Sequence, residues 1–275
     1  MRSKNLYYYL CLNEVKGMID FMKGYAVVTG ASSGIGAEFA RQLAKKGYRL
    51  ILTARRLDKL QELAEELKTE CMIVLADLSK KEDCFNFFIK IKHKKIDVFI
   101  NNAGFGDCNH FICGDLQKEL DMIDVNITAM HILMKLVITK MEKEGHGYFL
   151  NVASSAGLLP AGPYMATYYA TKSYVASITQ AVAQELKENE SSVYVGALCP
   201  GPVNTEFNEV ANVEFALKGI SARDCVSYTL RQMKNRKVII VPTLMMKIAT
   251  ILGRFVPRQV AVMIASTQQK KKLGK

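Results

Sequence analysis

Residues Pro163 to Ser177 read PYMATYYATKSYVAS, four tyrosines and one lysine in a short stretch. A tyrosine held near a lysine is a device for moving a proton. A free phenol ionises near about 10, and an ammonium beside it favours the phenolate and lowers that value. Such a tyrosine gives a proton to a carbonyl oxygen as hydride reaches the carbon, or takes one in reverse. Helical geometry selects the pair: Tyr168 and Lys172 stand at i and i+4, one turn apart on one face. Tyr169 and Tyr174 point elsewhere, and Tyr164 lies two turns from the lysine. Upstream, LNVASSAG is a strand running into a loop of small residues, with Ser155 thirteen residues before Tyr168 and Ser154 beside it. A serine hydroxyl there can bond the substrate oxygen and help hold the charge that develops on it.

A second constellation suits a dinucleotide. TGASSGIG (Thr29–Gly36) follows a strand and opens a helix. Gly30 permits a tight turn, Gly34 lets a phosphate approach the backbone, and Gly36 lets helix pack on strand. Ser32, Ser33 and Ile35 complete the loop, whose free N–H groups and helix dipole suit a pyrophosphate. The end of the second strand decides between cofactors. NAD(H) asks for a carboxylate there, yet TARRLDK offers Arg55 and Arg56, and no acid before Asp58. Cations at that point pair with a 2′-phosphate, so NADP(H) is expected over NAD(H). Asp77, followed by Leu78 after the third strand, either bonds the adenine amino group or caps the next helix.

The elements that must position these residues alternate regularly. Strands are expected at Tyr25–Gly30, Arg49–Ala54, CMIVLAD, DVFINNAG, GYFLNVAS, SVYVGALCPG and KVIIVP. Helices are expected at Ile35–Lys46, Leu57–Lys68, Lys80–His93 (with Phe85, Phe88, Ile89 and Lys92 at turn spacing), Gln117–Lys143 and Ala166–Lys187. Near-continuous apolar strands separated by helices point to a parallel sheet covered on both faces. With right-handed crossovers the result is a single doubly wound α/β, Rossmann-type domain with a seven-stranded parallel sheet. The boundaries expected are an N-terminal extension at 1–21, the catalytic domain at 22–243, and C-terminal helices with a basic tail at 244–275.

TGASSGIG, NNAG, NVASSAG, YYATK and PGPVNT occur in the order and spacing of the short-chain dehydrogenase/reductase family, which the chain resembles from about Lys23 to Thr205 and beyond. The resemblance implies a nicotinamide cofactor and reversible carbonyl/alcohol conversion. It implies Tyr168 as the acid/base, Lys172 as the residue that lowers the tyrosine pKa and holds the nicotinamide ribose, and Ser155, by its spacing, as the substrate-orienting serine. Asn126 in IDVNITA resembles the asparagine of the proton relay. Asn102, Ala103 and Gly104 resemble the turn lining the adenosine side, and Pro200, Gly201, Val203 and Thr205 the loop beside the nicotinamide. Arg55 matches the basic position of NADP-preferring members, whereas Ser33 stands where many of them carry a second cation. A non-catalytic NADP(H)-binding sensor or scaffold, and an epimerase or dehydratase on the same fold, are the alternative functions.

Composition narrows the class further. Half the chain is hydrophobic, 49%, over 275 residues, as for a globular protein. The formal charge is +11, with Lys270, Lys271, Lys272 and Lys275 close together, but no nucleic-acid motif accompanies it. Seven cysteines, an odd number without C-x-x-C spacing, indicate free thiols in a reducing, cytoplasmic compartment. The four histidines form no metal-ligand pattern, so no metal is expected. Near the start, Leu6–Leu12 is a short apolar run broken by Asn13 and Glu14, without a small-residue cleavage site, and Met18 and Met22 offer alternative starts.

No run of about eighteen uninterrupted apolar residues exists. Leu244–Ser266 comes nearest and reads as two short amphipathic helices around Pro257. Packing over the substrate entrance or against another subunit is the expectation for them, with a peripheral membrane contact as the second reading. Phe105, Leu158, Leu159 and Met165 flank the site, and Phe207, Val210, Val213, Phe215 and Leu217 make the segment after Thr205 an apolar lid. The expected partner is a small-molecule substrate, a hydrophobic ketone or alcohol of fatty-acyl or steroid-like kind, and the expected assembly a homodimer or homotetramer.

Overall fold

The computed structural model describes residues 23–207, 211, 219–253 and 255–272; the N-terminal extension and Val210, Val213, Phe215 and Leu217 lie outside them. Seven strands form one sheet: β1 (Tyr25–Thr29), β2 (Arg49–Thr53), β3 (Cys71–Ile73), β4 (Ile96–Asn101), β5 (Tyr148–Val152), β6 (Tyr194–Leu198) and β9 (Ile239–Ile240). Their order is β3-β2-β1-β4-β5-β6-β9, and every neighbouring pair is parallel. Two further short strands, β7 (Val203–Asn204) and β8 (Ile220–Ser221), pair with each other beyond the sheet. The helices are α1 (Gly34–Lys45), α2 (Leu57–Glu66), α3 (Lys81–Ile91), α4 (Leu116–Ile123), α5 (Met130–Glu144), α6 (Ala166–Glu188), α7 (Ala222–Lys234), α8 (Leu244–Leu252) and α9 (Arg258–Lys272).

The strands are mostly apolar along their length because successive residues serve opposite cores. Tyr25 and Val27 of β1 face a layer containing Phe87, Leu133 and Val175 from α3, α5 and α6. Ala26 and Val28 face Phe39, Leu60 and Val226 from α1, α2 and α7. The strand order reverses between β1 and β4, so the carboxyl ends of those strands flank a ready crevice.

Several expected elements are shorter or turned. The third strand covers only Cys71–Ile73 of CMIVLAD, and the seventh only Ile239–Ile240 of KVIIVP. On α3 the core face is Cys84, Phe87 and Ile91, while Phe85 and Ile89 are 47% and 54% exposed. The apolar stripe is therefore rotated from the one expected, with Phe88 only partly buried. The expected long helix is α4 and α5 joined through a π-helical turn, Asp124–Ala129. By length and composition Leu116–Glu144 could cross a membrane, but here Met122, Met130, Leu133, Val137 and Met141 are buried within the fold.

Candidate active site

The glycine loop is held by side chains on the next strand over. Thr29 Oγ1 accepts from the backbone N–H groups of Asn102 and Ala103, both at 2.9 Å. Asn102 Nδ2 returns two bonds, to the carbonyls of Thr29 and Gly30. The loop itself demands glycine. Gly30 has φ +62° and Gly34 φ +55°, and a Cβ on Gly36 would lie 2.3 Å from the Gly30 carbonyl oxygen. Ser33 sits before α1 without a side-chain capping bond, and the first turn of that helix carries no acid. Its N–H groups thus remain for an anion, the arrangement a dinucleotide phosphate requires.

The catalytic candidates converge from three elements. Lys172 on α6 is buried, and its Nζ donates to the Val152 carbonyl at the end of β5 (2.9 Å). Burial lowers its pKa to about 8. Tyr168, one turn earlier, is 8% exposed, and burial pushes its phenol up to about 12. The lowering expected from Lys172 is therefore not what dominates: Nζ stands 5.9 Å from the ring centroid and spends a bond on Val152. The group that pulls the phenol downward is the Ser154 hydroxyl, hydrogen-bonded to it.

That contact sets Ser154 beside Ser155 as a candidate for the substrate-orienting serine. Ser155 lies in the cavity wall and its N–H is tied to the Pro200 carbonyl (2.8 Å), but Ser154 is the serine that meets Tyr168. Ser154 precedes the short 3-10 turn Ser155–Leu158 and accepts from the Ala156 N–H.

Asn126 stands behind these groups, buried in the π-helical turn. Its Oδ1 accepts from Phe105 N–H, and its Nδ2 donates to the Phe105 carbonyl and to Thr171 Oγ1. Gly104 fits between: a Cβ there would be 2.8 Å from Asn126 Oδ1 and 3.2 Å from Lys172 Nζ. The other tyrosines separate as expected. Tyr169 packs in the fold, Tyr174 reaches His131 Nδ1 (2.7 Å), and Tyr164 precedes α6.

Both constellations open into one cavity of ≈ 990 Å³. Ser32, Ser33 and Ile35 line it with the three loop glycines, as do Asp77 and Leu78, Ala103 and Gly104, and Pro200, Gly201, Val203 and Thr205. Arg55 and Arg56 stand at the end of β2, exposed. Arg56 bonds Ser32 and pairs with Glu206 at 3.0 Å; among the described contacts Arg55 has no ion pair. Asp77 Oδ1 accepts from the N–H and hydroxyl of Ser79 in the turn before α3; the helix itself starts after Lys80 without a side-chain capping bond, so Asp77 does not cap it.

Residues 24–214 match the model of the short chain dehydrogenase family. The chain belongs to that family. It is 33% identical over 202 residues to human "Dehydrogenase/reductase SDR family member 11", covering 70% of this chain and 77% of that one. A short-chain dehydrogenase from Sphingobium yanoikuyae, solved in complex with NADPH, superposes with TM-score 0.75 at 29% identity, covering 81% of this chain and 89% of the other. A "bulky-bulky ketone specific alcohol dehydrogenase" from Comamonas testosteroni superposes with TM-score 0.71 at 28% identity, covering 81% and 87%.

In this short-chain dehydrogenase the substrate side of the cavity is walled by parts that motifs do not mark. Phe105, Leu159, Met165 and Phe207 line it, the last with its ring 5.6 Å from that of Tyr168. Leu158, expected beside them, packs against the sheet core instead. Helices α8 and α9 form the roof through Met246, Ala249, Ala265 and Gln269. Gln269 is 2% exposed, and its Nε2 donates to the Tyr169 hydroxyl at 2.6 Å, so the C-terminal helix is pinned beside the catalytic one. The amphipathic pattern of Leu244–Ser266 was the sequence signal for this roof, and nothing in the sequence singled out Gln269.

Proposed function

We propose that this oxidoreductase interconverts a carbonyl and an alcohol with NADP(H), acting on a hydrophobic substrate. The observation that carries the reading is the meeting of Ser154, Tyr168 and Lys172 in the same cavity as the glycine loop. The glycine cradle, the uncapped N-terminus of α1 and the paired arginines fit a phosphorylated dinucleotide. Arg55 is assigned to the 2′-phosphate, because Arg56 is already shared with Glu206. Solved relatives of the fold hold NADPH in one case and NAD in another, so the preference rests on these cations.

A bound nicotinamide supplies or accepts the hydride. The chain supplies the proton. With its phenol pushed up, Tyr168 stays protonated at neutral pH and is poised to donate to a carbonyl oxygen as that oxygen gains charge. Ser154, whose hydroxyl bonds Tyr168, orients the same oxygen and shares the developing charge. Lys172 keeps a positive charge near the reacting centre below about pH 8, and Asn126 holds the Phe105–Thr171 framework around it. The apolar roof helices, with Phe207 beside Tyr168, shield the site from water, which strengthens each of these interactions. Exposed apolar side chains on α4, Leu116 at 70% and Leu120 at 44%, support a homodimer or homotetramer.

The test is consumption of NADPH, and separately NADH, with a panel of ketones and aldehydes graded in size and polarity. Turnover is expected with NADPH and bulky apolar ketones, and Tyr168→Phe is expected to lower it by roughly 10² to 10⁴. Equal rates for wild type and variant reject the assigned mechanism; turnover of small polar carbonyls alone rejects the substrate class.

A further inference from the structure

The roof helices have an outer face that neither the core nor the cavity uses. Leu244, Ile248 and Ile251 stand at i, i+4 and i+7 on α8 and are 71%, 49% and 56% exposed. Phe255 follows at 81%, then Val260 and Met263 on α9 at 45% and 69%. None of the six lines the substrate cavity. Large apolar side chains presented together in this way mark a binding surface.

The charge of the segment says what that surface meets. Asp224 is the last acidic residue of the chain, and the 51 residues after it hold eleven Lys and Arg. They account for the whole formal charge of +11, so residues 1–224 balance to zero. Seven of the eleven, Lys247, Arg254, Arg258, Lys270, Lys271, Lys272 and Lys275, fall from position 247 onward in the sequence. A second copy docked through this face would bring two uncompensated cationic segments together. A nucleic acid would satisfy the cations and leave the apolar residues in water. An anionic bilayer surface satisfies both, with apolar side chains entering the acyl boundary and cations at the headgroups.

We propose that the outer face of α8 and α9 docks this protein on anionic lipid membranes. Each side chain inserted adds apolar burial, and each cation near the surface adds electrostatic attraction. Met245, Leu252 and Ile264 belong to both surfaces, exposed outside and lining the cavity within. The rim of the cavity therefore lies on the docking face. If the carbonyl-reductase reading holds, a membrane-dissolved apolar substrate reaches the site without crossing water; the docking itself does not depend on that reading.

Flotation of the full-length chain with vesicles tests it, using phosphatidylcholine alone and an equal mixture of phosphatidylcholine and phosphatidylglycerol. At least about tenfold more protein is expected on the anionic vesicles, a preference that falls as salt rises. The variant Ile248→Asp/Phe255→Asp/Met263→Asp is expected to stay in the unbound fraction while keeping the wild-type melting temperature and turnover of a water-soluble carbonyl. Lys270→Gln/Lys271→Gln/Lys272→Gln is expected to weaken binding severalfold, and it carries the test alone should the aspartates unfold α8. Equal recovery on both vesicle types, or unchanged binding by the lysine variant, overturns the proposal. So does a drop in oligomeric mass of the aspartate variant without loss of lipid binding, which would mark the face as a contact between copies. Because flotation needs no catalysis, a failed activity assay and a failed docking assay are distinguishable.

Discussion

Tyr168 and Lys172 are both buried, and burial pushes their pKa values apart: the phenol rises to about 12 while the ammonium falls to about 8. At neutral pH the phenol is then protonated while Lys172 still carries its charge, which suits a site that donates a proton from an uncharged acid beside a cation. The lysine leaves a mark on stability. Between about pH 8 and its ordinary value of 10.5, Lys172 is deprotonated in the folded state and protonated in the unfolded one, so the unfolded chain binds the extra proton and stability rises with pH. Relative to Lys172→Met, the cofactor-free wild type is expected to gain on the order of 3 kcal/mol across that window. Denaturant titrations at its two ends measure it, and a constant difference between the proteins would show that the charge is not desolvated. The serines give a sharper contrast. Ser154 bonds the phenol, whereas Ser155 is held through its backbone. Ser154→Ala is therefore expected to lower kcat by roughly 10² to 10³ and Ser155→Ala far less. The reverse order would support the assignment by spacing.

The elements explain why those residues meet, and here the legibility of the sequence divides. Strand and helix order was readable because β1 and β6 are almost wholly apolar and buried at every position, the pattern of a doubly covered parallel sheet. The glycine loop was readable because Gly30 and Gly34 adopt positive φ and Gly36 admits no Cβ. Two devices were not. The π-helical turn that aims Asn126 at Phe105 and Thr171 comes from IDVNITA, a stretch with no local sign of an extra residue per turn. The buried ladder in which Asn101 donates to Asn151, and Asn151 to Thr179, joins β4, β5 and α6 across long separations that spacing rules do not see. The apolar stripe of α3 was misread because Phe85 and Ile89 face outward while smaller Cys84 faces in. The junction between the π turn and α6 is tight at Gly104, and this yields a prediction about geometry alone. Gly104→Ala sets a methyl against Asn126 Oδ1 and Lys172 Nζ. A displacement near 1 Å costs about 10² in rate, so kcat is expected to fall by that order while the circular dichroism spectrum is retained. Full activity would mean that the junction yields freely.

At the scale of the molecule, two exposed apolar surfaces differ in charge, and that difference assigns their partners. The roof face belongs to a segment without a single carboxylate. The other surface, Phe111, Ile112, Leu116, Leu120 and Ile123 leading into and along α4, is 37% to 92% exposed. It belongs to the part of the chain whose charges balance, and Glu119 and Asp121 accompany Lys118 on that helix. A second copy can approach it without facing charge of one sign, and apolar burial there is worth roughly 25 cal/mol per Å². A helix face of this kind, self-complementary about a twofold axis, closes a dimer and leaves no open end. The wild type is thus expected to run as a dimer or tetramer in light scattering coupled to gel filtration. Leu116→Asp/Leu120→Asp is expected to halve that mass at least, because each interface would hold two copies of each buried carboxylate without a partner. The roof variant Ile248→Asp/Phe255→Asp/Met263→Asp is expected to leave the mass unchanged. If instead the roof variant dissociates the assembly and the α4 variant does not, the two faces have been assigned the wrong way round, and charge is not what tells them apart.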